Sequence, residues 1–163
     1  MTRFSRRVAG LGLAAGLLSA CGFRLQGQPG LSPQLARVEV RPADRHSDFT
    51  RALRRSLDGS GARLVDAAGA DGAVVRILFD RFTEKVLSVD ARNIPTDYEL
   101  VYEVEVEVRR GGEQLMPAEP FVLTRIFSFD ERRKLAKERE KDVLREALAR
   151  DLASVVMRRL ASL

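Results

Sequence analysis

The order strand, helix, strands, long helix predicts an α+β fold: two helices packed on one face of a mainly antiparallel four-stranded sheet. Three stretches carry that prediction. Leu100, Tyr102, Val104, Val106 and Val108 alternate with Val101, Glu103, Glu105, Glu107 and Arg109, the period of a half-buried strand. Phe49, Leu53 and Leu57 recur at i, i+4 and i+8, the period of a helix that buries one side. Leu144, Leu148, Leu152, Val155, Val156 and Leu160 repeat the helical spacing near the end of the chain, with Ala147 on the same face.

The first 20 residues stand apart from this domain. Arg3, Arg6 and Arg7 form a positive segment, Val8 to Leu18 an apolar run, and Ser19 and Ala20 a small-residue site, the order of a secretory signal. An apolar helix of about 11 residues reaches only ~16 Å, whereas a bilayer core of ~30 Å needs about 20. The segment is therefore expected to be removed rather than to span a membrane. The residue that follows, Cys21, is the one cysteine in the sequence. Leu18-Ser19-Ala20-Cys21 resembles the lipobox of bacterial lipoproteins, in which the cysteine thiol receives a diacylglycerol and the new amino group is acylated. The alternative is an ordinary signal peptide followed by an incidental thiol. Lipid attachment at Cys21 is the expectation, because a lone thiol in an oxidising compartment otherwise has no use. Residues 22–36, with three Gly and two Pro, read as a tether leading to a single domain at 37–163.

Composition narrows the function. The chain of 163 residues has a formal charge of +5. Arg3, Arg6 and Arg7 supply three of those charges, so the processed protein is near +2. That removes the compositional support for nucleic-acid binding. One cysteine and one histidine, His46, supply no zinc ligand set. No Gly-rich phosphate loop or Ser-His-Asp order stands out.

Within the domain, Arg37-Val38-Glu39-Val40-Arg41 alternates as a strand with Val38 and Val40 inward, ended by Pro42. Ser47 or Asp48 caps the first helix, and Gly59 and Gly61 stop it. Arg63-Leu64-Val65 reads as a short strand or strand entrance. Residues 73–89 read as one long or bent strand with Val75, Ile77 and Phe79 on one face. Asn93 and Pro95 mark a loop. The alternating strand follows, then a turn at Gly111-Gly112, a connection lengthened by Pro117 and Pro120, and a return strand over Phe121–Phe129. The row Glu103, Glu105, Glu107 reads as a solvated face, with metal binding as its alternative. Asp130 is a cap for the last helix. Its polar first part, Glu131 to Lys141, reads as a solvated face that could project from the domain, with a ligand or partner contact as the alternative. Glu138–Asp142 and Glu146–Arg150 stand at i, i+4, the first unfavourable and the second favourable.

Several of these segments together resemble the LptE family of LPS-assembly lipoproteins. Cys21-Gly22-Phe23-Arg24-Leu25 resembles its C-G-aromatic-basic-Leu start. Leu53-Arg54-Arg55-Ser56-Leu57 and Gly61-Ala62-Arg63-Leu64-Val65-Asp66 resemble its helix–Gly–strand step. Tyr98-Glu99-Leu100 opens the long strand as in the family. Arg125-Ile126-Phe127-Ser128-Phe129-Asp130 with Leu135-Ala136-Lys137-Glu138 resembles its R-x-F-x-F-D … L-A-K segment. The resemblance covers roughly 21–163.

It implies a lipid-anchored protein on the periplasmic face of the outer membrane. Such a protein plugs and helps assemble the β-barrel LptD, contacts lipopolysaccharide, and has no enzymatic activity and no cofactor. By motif position it implies lipopolysaccharide-binding roles for Arg92 and Lys137. Gly22 is not the aspartate that resembles an inner-membrane retention signal in enteric bacteria, which favours outer-membrane delivery. The rival reading is an auxiliary lipoprotein of a lipid-transport ABC system, which shares the lipobox and the general fold. An enzyme built on His46 and the Glu row is the remaining alternative.

Overall fold

A computed structural model of the chain describes residues 30–130 and 133–163. The signal segment, Cys21 and most of the tether lie outside the described residues.

A 3-10 turn at Pro33–Leu35 leads into β1 (Arg37–Arg41), α1 (Asp48–Gly59), β2 (Arg63–Leu64), β3 (Ala73–Val89), β4 (Pro95–Arg110), β5 (Glu113–Ser128) and α2 (Lys134–Leu160). The sheet has five strands in the order β2-β1-β3-β4-β5. The four-stranded, mainly antiparallel expectation is corrected in two ways. The two-residue β2 is a true strand, and β1 runs parallel to both β2 and β3. The cause is α1. A helical crossover returns the chain to the end it left, so the strands it joins run parallel. Only β3, β4 and β5, joined by tight turns, form the antiparallel meander. Both helices pack together and line the core side of the sheet with Leu53, Leu57, Leu148, Leu152, Val156 and Leu160.

Local chemistry explains the helix ends. Ser47 caps α1, its Oγ accepting from the Thr50 N–H at 2.9 Å. At the other end Gly61 takes φ +86°, a left-handed conformation that glycine adopts without a Cβ penalty. The Ala62 N–H then reaches back to the Leu57 carbonyl at 3.2 Å. For α2 the expected cap at Asp130 is corrected: the cap position is Arg133, without a side-chain cap bond. The Asp130 carbonyl accepts from the Arg133 N–H at 3.0 Å. The buried face of α2 carries Ala149 and Ala153 beside the predicted leucines. These small side chains bring the helix close to its neighbours.

The alternating strand is β4. Leu100, Tyr102, Val104, Val106 and Val108 are all buried under the helices. In β3 the face assignment changes partway. Val75 and Ile77 are buried, but the ladder slips between Ile77 and Phe79. Phe79 then stands opposite Glu105, on the face away from the helices, and not with Val75 and Ile77 as predicted. A one-residue bulge reverses the inside and outside of everything after it. β5 also begins earlier than expected, directly after Gly111-Gly112, with Pro117 and Pro120 inside the strand. Proline lacks the N–H of an interior ladder but is tolerated on an edge strand, and β5 is the edge.

The Glu row lies on the uncovered face. The expected solvated face is corrected: Glu103 and Glu105 are half-buried, and Glu107 is buried and accepts from the Arg76 Nη1 at 2.6 Å. Among the described residues no group of three His, Cys, Asp or Glu stands close enough to hold a metal ion. No described helix is long and apolar enough to cross a membrane.

Beyond the end of β1 the sheet continues as a three-stranded ribbon of β3, β4 and β5. The first half of α2 covers it rather than projecting. Lys141 Nζ meets Glu84 on β3 at 3.1 Å, and the Arg145 guanidinium lies 6.0 Å from the Phe82 ring centroid. Lys141 also bonds Glu138 at 2.8 Å, so the predicted like-charged pair Glu138–Asp142 has a cation beside it. The predicted favourable pair forms, Arg150 to Glu146 at 3.7 Å.

Candidate functional site

The far end of the ribbon is built on the turn between β3 and β4. Asn93 sits at φ +64°, the left-handed region that asparagine tolerates better than most residues. The Asp90 carboxylate closes the turn from inside. It accepts from the N–H groups of Arg92 at 2.8 Å and Ile94 at 3.0 Å. It also accepts from the Arg92 side chain, Nε at 3.0 Å and Nη2 at 2.9 Å. The Ile94 N–H, then the Arg92 side chain, holds the Asp90 carboxyl below its usual range. Arg92 is thus aimed by its own turn.

Arg92 lines an open cleft of about 400 Å³ with Ile94, Pro95, Thr96 and Phe129, and with two acids, Asp90 and Asp130. From Phe129 an aromatic cluster runs inward. Its ring centroid is 6.0 Å from Tyr98 and 6.4 Å from Phe127, both edge-on. Lys137, the second predicted site residue, stands on α2 with Nζ 5.3 Å from the Phe127 centroid. Its other partner is Glu140 at 2.9 Å. The structure therefore brings Arg92 and Lys137 to one end of the molecule, linked by the rings of Phe129 and Phe127. They are not in contact with each other, and each is held by an acid from its own element. Exposed apolar side chains stand on the last part of β3, at Val86, Leu87 and Val89, and in the first turn of α2, at Leu135. Cations beside aromatic and aliphatic surface suit an amphiphilic anion.

A hydroxyl cluster on the opposite face stiffens this end. Asp97 of β4 accepts from Ser88 of β3 and, at 2.7 Å, from Ser128 of β5. One carboxylate thereby joins all three strands, and the Ser88 and Ser128 hydroxyls hold its pKa below the usual value. Sequence reasoning placed Tyr98, Phe127 and Phe129 in strands but did not group them. Their signal was the alternate spacing of two aromatics, Phe127 and Phe129, just before α2.

Comparison with known proteins adds the lineage. The family described as "LptE: Lipopolysaccharide-assembly" matches residues 35–160. A protein of Yersinia enterocolitica called LPS-assembly lipoprotein LptE is 29% identical over 151 residues, 92% of this chain and 72% of that protein. A protein of the same description from Pectobacterium atrosepticum is 29% identical over 154 residues, 94% of this chain and 83% of that one. Among solved structures, rare lipoprotein B of Shewanella oneidensis superposes with a TM-score of 0.66 at 30% identity, covering 77% of this chain and 94% of that chain. A lipoprotein B of Nitrosomonas europaea has a TM-score of 0.71 at 24% identity, covering 86% and 91%, a likeness of fold. The match extends from Leu35, at the entrance to β1, to Leu160, the last residue of α2, and so takes in every strand and both α-helices of the described residues: this chain belongs to the LptE lipopolysaccharide-assembly family.

Proposed function

We propose that this chain is a lipid-anchored lipoprotein of the outer membrane that binds lipopolysaccharide at its Arg92–Lys137 end and plugs, and helps assemble, an LptD-type β-barrel. Cys21, freed by removal of residues 1–20, carries the lipid. Residues 21–36 tether the domain. Each buried CH₂ of an acyl chain contributes ~0.8 kcal/mol, and two or more chains make attachment stable, so no membrane-spanning helix is needed. The domain acts as a binding and assembly partner, not an enzyme.

The observation that carries this reading is the joining of two cations through one aromatic cluster at the end of the ribbon, in a chain of this family. Lipopolysaccharide combines phosphates with acyl chains. Guanidinium and ammonium groups pair with the first, and the exposed Val86, Leu87, Val89 and Leu135 suit the second.

The test uses the full chain in detergent. Arg92→Gln and Lys137→Gln together should weaken lipopolysaccharide binding about tenfold or more, and unchanged affinity sinks the site assignment. A pull-down of the tagged chain from native membranes should return a near-equimolar β-barrel protein. Recovery of an ABC permease in its place moves the protein to the rival class.

A further inference from the structure

A second cleft, of about 450 Å³, opens at the carboxyl end of β1. It is far from the Arg92 end. Arg41 pairs with Arg76, and β3 continues from there to Val89 for about 13 residues, roughly 40 Å at the strand rise. Arg41 from β1, Arg45 from the following loop and Arg54 from α1 line it, with Glu39 and Asp66. Val40 and Val65 place it at the carboxyl ends of the two parallel strands. In open sheets with parallel strands, ligands collect at that end, where the crossover loops part.

The arginines are not equivalent. Glu39 is 8% exposed, an acid held almost wholly inside. One of its oxygens accepts from the Ala68 N–H at 2.9 Å. The carboxylate also takes Nε of Arg41 and, at 3.1 Å, Nη2. This two-point contact fixes the plane of the Arg41 guanidinium and, among the described residues, leaves Nη1 without an acid partner. Among the described residues Arg45 and Arg54 have no acid partner, and Asp66 is the one other acid lining the cleft. Glu39 being matched by Arg41, the cleft keeps a surplus of positive charge.

We propose that this cleft is a binding site for a phosphoryl group borne on a saccharide. Donors from three separate elements suit a tetrahedral group with several free oxygens better than a flat carboxylate. The cleft is larger than a bare phosphate, and the Asp66 carboxylate on its wall can accept from a sugar hydroxyl. The site is independent of the Arg92–Lys137 end, and its existence does not rest on the function proposed above. The sugar phosphate can be free or the headgroup of a glycolipid, the chemistry being shared.

The experiment titrates the full chain in detergent with glucose 1-phosphate by calorimetry, with glucose and inorganic phosphate as comparisons. Saturable binding of glucose 1-phosphate, tighter than inorganic phosphate and absent for glucose, is expected. Arg45→Gln with Arg54→Gln should weaken it tenfold or more. Arg63→Gln, an exposed cation at the amino end of β2, should change it less than twofold. Displacement of the sugar phosphate by a phosphorylated glycolipid in the same micelles, and not by its dephosphorylated form, identifies a headgroup as the source; no displacement identifies the soluble sugar. Absence of saturable binding overturns the site. So does an equal loss in Arg63→Gln, which would mean diffuse charge. Inorganic phosphate binding as tightly as glucose 1-phosphate overturns the saccharide assignment.

Discussion

The Tyr102 hydroxyl oxygen, on the central strand β4, accepts the backbone N–H of Phe49 in the first turn of α1 at 3.2 Å. The first N–H groups of a helix have no partner within the helix, and here a sheet side chain supplies one inside the core. Burial first, then the charge of Asp80, raises the Tyr102 pKa well above its ordinary value, so the phenol stays neutral. Tyr102→Phe keeps the ring contact with Phe82, whose centroid lies 5.9 Å away. It orphans the Phe49 N–H. The expected cost is about 1–3 kcal/mol, the range for a buried donor left without a partner. Urea unfolding of the two proteins measures it, and a change below about 0.5 kcal/mol would show that water replaces the phenol.

Asp80 makes a prediction about pH. Burial, chiefly, raises its pKa above the usual 3.8, while the bond from Ser47 at 2.5 Å opposes the shift. A carboxyl whose folded pKa is raised favours the folded state when protonated. That contribution is complete below the unfolded pKa and is lost as pH rises through the folded one. Asp80→Asn keeps an acceptor for Ser47 and never ionises. The variant should therefore be the more stable at pH 7, and the difference should close as pH falls toward 3.8. Urea midpoints at several pH values decide it; a variant weaker than the parent at pH 7 would mean that the charge itself is needed.

Asp97 holds the end of the ribbon, through Ser88 on one side and Ser128 on the other. Asp97→Ala removes both bonds while leaving the helix-covered face untouched. Amide hydrogen exchange should quicken about tenfold or more in the last residues of β5, which have no further strand beyond them, and remain unchanged at Val104 and Val106. Because hydroxyl bonds from Ser88 and Ser128 lower the Asp97 pKa, the parent should show the same loosening as pH falls through that lowered value. Uniform exchange across β4 and β5 would refute the local role.

Phe129 is the ring that joins the Arg92 cleft to the cluster beneath Lys137. It is only half-buried. Phe129→Ala should thus cost under about 2 kcal/mol of stability, yet reduce lipopolysaccharide affinity about as much as Lys137→Gln does. Binding that survives the loss of the ring would mean that the two cations act separately, through charge alone.

Much of the fold was readable because consecutive residues carry its period. The alternation in β4, the stripes of α1 and α2 and the Ser47 cap all depend on neighbours within one or two turns, and all appear where their spacing places them. The Glu row stood where alternation put it, on the uncovered face. Arg92 and Lys137 came from likeness of motif, with nothing in their own neighbourhoods to mark them.

Tertiary structure alone settled the rest, because strand partners and faces depend on segments distant in sequence. The bulge at Leu78, which sends Phe79 to the opposite face from Ile77, arises from how β3 must register against β4. The direction of β1 follows from α1 crossing the sheet before β2 forms, and the two prolines of β5 are acceptable only because no strand lies beyond it. Arg92, Phe129, Phe127 and Lys137 come from a turn, the end of β5 and a helix, and the Glu39 carboxylate meets the Ala68 N–H, which lies beyond α1 and β2 in the chain. Local spacing encodes each element, because a side chain's face is set by the backbone repeat. Which elements meet is decided by burial of those faces together, a property of the whole chain.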